Sequence, residues 1–355
     1  MHRRRRFVYA GAILLVSVLA PLASASIAAD PGRPASRLPD SLAPKESTSI
    51  AADPARPVTR PPGPLVPKQG VLLGAWADNV GHWVDDATAE AAVVRLEGQI
   101  GRKLAVDHHY YSWTDSFPSG LEQWDVANGR IPMISWGGTA LGPILGGSYD
   151  NMIRSRAQSV KALGAPVFIR WAWEMNGNWS PYDGTHSNNP GQTEGPALYV
   201  QAWRHIHDIF AQAGVTNAVW VWCPNASDVP GDSWNHWTNY YPGDAYVDWV
   251  AVDAYNWGNT QTWSSWTDLS RMIGGVYADY ATRKPIMIAE TGSTEHGGSK
   301  ASWLQTVQAS MKTKFPSVAA LVYFDQAKEV DWQLDSSSAS LAAFKALAND
   351  RYFKP

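Results

Sequence analysis

A single α/β domain folded as a (β/α)8 TIM barrel is the architecture this sequence predicts. Three observations carry it. Eight short apolar runs recur between residues 70 and 326. Segments with a helical spacing of apolar residues alternate with them. Polar and aromatic residues gather where each apolar run ends, which is where a parallel barrel carries its site. An open doubly wound sheet fits less well, because no glycine-rich phosphate loop follows the first strand.

The first strand is GVLLGAWA (70–77). In ATAEAAVVRLEGQIG (87–101), Ala89, Val93, Leu96 and Ile100 fall near one helical stripe. KLAVDHHYYSW (103–113) and RIPMISWGG (130–138) are the second and third strands. MIRSRAQSVKALG (152–164) is a helix stopped by Gly164. APVFIRW (165–171) is the fourth strand, and PALYVQAWRHIHDIFAQAG (196–214) is a helix again closed by glycine. NAVWVWCPN (217–225) and VDWVAVDAYNW (247–257) are the fifth and sixth strands. The helix over 267–283 is weakened by Gly274 and Gly275. PIMIAETG (285–292) is the seventh strand, SKASWLQTVQASMKTKF (299–315) a helix and VAALVYFDQ (318–326) the eighth strand. SASLAAFKALANDRYF closes the chain as a helix.

The 355 residues hold one large domain, 71–355, plus extensions. Residues 1–25 read as a signal peptide: a basic Arg3 to Arg6, an apolar Phe7 to Leu22, and Ala23-Ser24-Ala25 as the cleavage site. The arginine cluster also resembles a twin-arginine export signal. Secretion, with or without attachment to the cell envelope, is the expectation, and no stable membrane span in the mature chain. Residues 26–70 read as a disordered spacer. SIAADPGRPASRLPDSLAPK (26–45) recurs there as SIAADPARPVTRPPGPLVPK (49–68), rich in Pro and Ala and without an aromatic residue. A net charge of −3 gives no electrostatic case for nucleic acid or an acidic membrane surface. The single cysteine, Cys223, follows an apolar run and reads as a buried inert thiol.

All 19 tryptophans lie after residue 75, where the folded part begins. Two stretches concentrate the chemistry. FIRWAWEMNGNW (168–179) sets Glu174 among Trp171, Trp173 and Trp179, and KPIMIAETGS (284–293) ends an apolar run at Glu290. Strands four and seven face each other across the mouth of an eight-stranded barrel. Two such carboxylates are the minimum apparatus for glycosidic bond cleavage, retaining if they stand roughly 5–5.5 Å apart. Indoles stack on the apolar faces of sugar rings. The tryptophans around Glu174 make it the acid/base, its pKa raised by apolar neighbours. Glu290, in a tight turn with many donors, is the nucleophile. His109, Trp136, Arg170, Trp173, Asn176, Trp179, Trp222, Asp253, Tyr255, Tyr323 and Asp325, at or beside strand ends, are the expected substrate contacts. His205 and His207, two apart on a helix, point to different faces, so no metal and no cofactor is expected.

The stretches RWAWEMNGNW (170–179), VWVWCPN (219–225), YYPGDAYVDWVAVDAYNW (240–257) and IAETGS (288–293) occur in this order. Through them the domain resembles glycoside hydrolase family 26 over about residues 71–345. The resemblance implies the (β/α)8 fold, Glu174 as acid/base, Glu290 as nucleophile and Tyr255 as the tyrosine bonded to it. It places Asn176, Trp179 and Trp222 in stretches that line the cleft. It implies a secreted, monomeric endo-acting enzyme on a polysaccharide, β-1,4-mannan by default, with mixed-linkage β-glucan or β-1,3-xylan as alternatives. A non-catalytic envelope protein that binds carbohydrate is the rival class. Two positions depart from the pattern. Trp173 stands where the family has histidine, and YFDQ in strand eight lacks the usual tryptophan, leaving Tyr323 or Phe324 as the platform.

Overall fold

The computed structural model describes residues 63–78, 85–187 and 193–354. The signal peptide and the spacer up to residue 62 lie outside the described residues. Eight parallel strands close into a barrel in strict sequence order. They are β1 (Leu72–Asp78), β2 (Val106–Tyr111), β3 (Ile131–Trp136), β4 (Val167–Trp171), β5 (Ala218–Trp222), β6 (Trp249–Asn256), β7 (Ile286–Ser293) and β8 (Val318–Gln326). β1 pairs with both β2 and β8, which closes the ring.

The apolar residues divide into two buried sets, as a pleat of period two requires. Leu72, Val106, Met133, Phe168, Val221, Trp249, Met287 and Val322 form the inner set. Leu73, Ile134, Ile169, Trp220, Val252, Ile288 and Leu321 form the outer set, beneath the helices.

The expected helices form at Asp86–Ile100, Asp150–Leu163, Gly195–Gln212, Lys300–Thr313 and Ser338–Asn349. Asp85 and Thr88 make a capping box at the first, and Gly164 ends the second in the left-handed region (φ 69°). The segment around the glycine pair divides into Leu269–Met272 and Gly274–Tyr280. A helix at Gly120–Ala127 was not expected, although its capping box, Ser119 with Glu122, stands in the sequence. At eight residues it is too short for periodicity to reveal. Between β5 and β6 the described residues form two 3-10 turns, Ser233–Asn235 and Trp237–Tyr240.

The spacer boundary at residue 70 needs correction. Trp249 donates its indole N–H to the Pro64 carbonyl at 2.8 Å, and Leu65 and Val66 pack against the inner apolar set. Residues 63–70 therefore close the N-terminal end of the barrel. The last copy of the repeat supplies this plug, because Leu65 and Val66 find apolar cover there.

Strand parity also corrects five expected substrate contacts. Trp136 points outward, stacks on Trp113 at 4.7 Å and donates to the Trp113 carbonyl. Trp222 packs outward on Tyr241 and Tyr280. Tyr323 packs on Phe344 and donates to the Trp332 carbonyl, and Asp325 accepts from the Leu334 amide. His109 reaches Asp125 of the Gly120–Ala127 helix at 2.7 Å. All five are buried between the strands and the helix layer, where no substrate reaches them. The large residue at each of these strand ends fills the interlayer core, and its neighbour of opposite parity faces the mouth.

Trp136→Ala is expected to destabilise the fold by about 3–5 kcal/mol through the cavity it leaves, measured by denaturant unfolding. A variant as stable as the parent but weak in substrate binding would return Trp136 to the site.

Candidate active site

Glu174 and Glu290 sit in the mouth of the barrel on opposite supports. Glu174 lies three residues past the end of β4, in a turn with two residues in the left-handed region, Ala172 (φ 47°) and Glu174 itself (φ 57°). Neither is glycine, so the turn stores backbone strain. The Glu174 amide donates to the Cys223 carbonyl at 2.8 Å, which anchors this strained turn to the end of β5. The carboxylate accepts from Asn225 Nδ2 at 2.7 Å and from Trp179 Nε1 at 3.0 Å.

Glu290 lies within β7, and a register irregularity aims it. Val252 pairs with Ile288, but the next residue, Asp253, pairs with Glu290, so Ala289 is the extra residue of a bulge. Met287 and Ala289 already belong to the inner set. Simple alternation would send Glu290 outward; the bulge turns it into the mouth.

Three donors converge on Glu290. Tyr255 Oη bonds Oε2 at 2.6 Å, while Tyr110 Oη and Arg170 Nη2 both bond Oε1. Arg170 is fully buried and connects the floor of the site. Its Nη1 donates to both oxygens of Asp253 at 2.9 and 2.7 Å, and its Nε donates to Ser135 Oγ at 2.7 Å. Ser135 in turn lies 2.6 Å from His108 Nε2. Burial and the neighbouring Arg170 charge push the His108 pKa well below its ordinary value, so it stands as a neutral imidazole.

The proton affinity of Glu174 follows from this floor. Burial, and then the charge of Glu290, raise its pKa from 4.5 to about 7, against the hydrogen bonds of Asn225 and Trp179 and the charge of Arg170. Glu174 thus holds its proton near neutral pH, as a general acid must. Glu290 carries only acceptor roles towards its three donors.

The expected contacts separate into three groups. Trp173, Trp179 and Tyr255 are partly exposed beside the two carboxylates. Trp173 lies over the Arg170 guanidinium at 4.9 Å and beside Tyr110 at 5.5 Å. Arg170, Asp253 and Asn176 are fully buried, so direct substrate contact is corrected to support. Arg170 and Asp253 form an ion pair beneath Glu290. Asn176 Oδ1 accepts from the Asn225 amide, and its Nδ2 donates to the Asn225 carbonyl and to Asp228, which fixes the donor of Glu174. His109, Trp136, Trp222, Tyr323 and Asp325 are absent from the mouth, as described above. His108 and Asn225, at the ends of strands two and five where polar residues gather, belong to the site, and so do Tyr110 and Ser135, which the sequence reading passed over. Tyr110 and His108 share the inward parity of β2, a signal present in HHYY. The reach of Asn225 to Glu174 was not legible.

Asp107, His109 and Asp125 bring ligand-type atoms within 4.8 Å of one another. Burial lowers the His109 pKa, but Asp107 and Asp125 outweigh it and push it up to about 10. A protonated imidazole donates, and Arg130 stands 3.9 Å from Asp125, so both cations face the Asp107 and Asp125 carboxyls.

The family model described as glycosyl hydrolase family 26 matches residues 141–345. Endoglucanase H of Acetivibrio thermocellus is 36% identical over 272 residues, covering 75% of this chain and 30% of that protein. Mannan endo-1,4-beta-mannosidase A and B of Caldalkalibacillus mannanilyticus is 33% identical over 183 residues, covering 50% of this chain and 32% of that one. The chain thus spans about a third of the length of these relatives. Among solved structures, the YdhT protein of Bacillus subtilis superposes with a TM-score of 0.56 at 21% identity, over 79% of this chain and 85% of that one. That likeness concerns the fold.

The protonated form of Glu174 exists below its folded pKa and is lost as pH rises through about 7. Turnover at limiting substrate, kcat/KM, is expected to fall along that limb. Asn225→Ala removes a donor to the carboxylate, so the limb is expected to move to higher pH. A limb that stays in place in the variant would dissociate it from Glu174.

Proposed function

The chain belongs to glycosyl hydrolase family 26, and from that premise we propose that it cuts a β-1,4-linked polysaccharide internally, by double displacement. One observation carries the reading. Two carboxylates share the mouth, one with its pKa raised to about 7 and the other bound by Arg170, Tyr110 and Tyr255.

In the first step Glu290 attacks the anomeric carbon while Glu174 gives its proton to the departing glycosidic oxygen. The carbon–oxygen bond breaks and a glycosyl ester forms on Glu290. Esterification removes the Glu290 charge, which is one cause of the raised Glu174 pKa. Glu174, left as a carboxylate by the first step and with its pKa lowered by the loss of that charge, then serves as base towards water. Water attacks the anomeric carbon, its proton goes to Glu174, and Glu290 leaves as carboxylate. Tyr255 and Tyr110 hold the two oxygens of Glu290 in place through both steps.

β-1,4-Mannan is the first substrate proposed, supported by the mannanase relative. β-Glucan is the second, favoured by two specific facts. The endoglucanase relative aligns over more of the chain. Trp173, the residue before the acid/base, presents an indole that donates one hydrogen bond and accepts none, so a hydroxyl read through an acceptor there is not read here. The basic and apolar N-terminal pattern supports secretion. Monomeric action suits a bulky polymer, and among the described residues no helix is long and apolar enough to cross a membrane.

Reducing-sugar release is to be measured on glucomannan, galactomannan, lichenan, barley β-glucan, β-1,3-xylan and laminarin, with Glu174→Gln and Glu290→Ala alongside. Release from one polymer class, lost in both variants while Glu290→Ala still binds that polymer, is the expected result. Binding without release by the parent protein would convert the reading to a carbohydrate-binding protein.

A further inference from the structure

Trp263 lies outside the machinery described above, and we propose that it is a distal platform for a neutral sugar unit of the same polysaccharide chain. The proposal rests on the reading of the mouth as a polysaccharide site.

Trp263 is 57% exposed and is the one tryptophan on open surface among the described residues. Exposure alone decides nothing, since isolated surface apolar residues are common. Val94, 55% exposed on the helix Asp86–Ile100, is such a case. Trp263 differs in three ways.

The first is continuity with the site. Tyr255, bonded to Glu290, lies 4.9 Å from Trp332. Trp332 lies 4.9 Å from Trp257, and Trp257 lies 5.5 Å from Trp263 at 62°. Along this line burial decreases, from Trp332 through the half-buried Trp257 to Trp263. The aromatic track leads from the nucleophile to solvent on the β6 side of the mouth.

The second is rigidity. Asn256 is fully buried at the end of β6. Its Oδ1 accepts from the Gly258 amide at 3.2 Å and the Thr267 amide at 2.9 Å, so one side chain ties both ends of the loop. Its Nδ2 donates to Ser293 Oγ at 2.8 Å, which fastens the loop to β7. Ser264 Oγ, next to Trp263, donates to the Gly258 carbonyl at 2.8 Å. A platform fixed before binding loses little entropy when a ligand arrives.

The third is charge. From Trp257 to Thr267 the chain reads WGNTQTWSSWT, with no ionisable side chain. Amides and hydroxyls beside an open indole suit a neutral polyhydroxylated ring, whose C–H face stacks while its hydroxyls find polar partners. They offer nothing to an anionic ligand.

The test uses the full chain carrying Glu174→Gln, an isosteric change that stops turnover and spares binding. Affinity for glucomannan and barley β-glucan, and for mannotetraose and cellotetraose, is to be measured by calorimetry with Trp263 intact, as Trp263→Ala and as Trp263→Tyr. Trp263→Ala is expected to weaken polymer binding about tenfold, with a much smaller effect on the tetrasaccharides and recovery in Trp263→Tyr. In the active chain the same change is expected to raise KM on polymer more than it lowers kcat. Equal polymer affinity with and without the indole overturns the platform and leaves the proposed function standing. An equal loss on polymer and tetrasaccharide overturns its distal placement. A Glu174→Gln parent that binds none of these sugars overturns the proposed function and the platform with it.

Discussion

The buried guanidinium of Arg170 is the constraint on which the site depends. One cation beneath the mouth meets two carboxylates, Asp253 and Glu290, at hydrogen-bonding distance. Burying a charge without partners is prohibitive, so all three groups must be assembled together. The assembly ties β4, β6 and β7 into one unit, and Ser135 and His108 extend it to β3 and β2. Glu174, desolvated first of all and also facing the charge of Glu290, keeps its proton to about pH 7. The chemical contrast between two residues of the same type thus comes from the burial of Glu174 and from the Arg170 cation that Glu290 contacts directly.

Backbone irregularity aims the two carboxylates. The β7 bulge turns Glu290 inward against its parity, and the left-handed residues Ala172 and Glu174 bring the Glu174 carboxyl back over the mouth. Both departures from regular geometry occur where function needs a direction that the pleat does not supply. Asn176 then holds Asn225 in position, so the Glu174 carboxyl is oriented from its far side as well.

The fold was legible because long apolar runs and helical stripes record burial, and burial is local in sequence. All eight strands stand where the apolar runs predicted them, within a few residues. The short Gly120–Ala127 helix was missed because eight residues hold little periodicity. The site was legible in its carboxylates and in Trp173, Trp179 and Tyr255. It failed at strand parity. Choosing the largest or most reactive residue at a strand end selected His109, Trp136, Trp222, Tyr323 and Asp325, which serve the outer layer, and passed over Tyr110 and Ser135, which face inward. A one-residue step reverses the face, and residue type does not reveal it.

By itself the sequence determined the number and order of strands, the two glutamates, their aromatic surroundings and the family pattern, because each is written in contiguous residues. The tertiary structure alone decided which side of each strand faces the mouth, that Arg170 lies beneath the site and not in it, and which side chains bind each of the two carboxylates. Those properties depend on distances between strands far apart in the chain, and on how much water the closed barrel excludes around them.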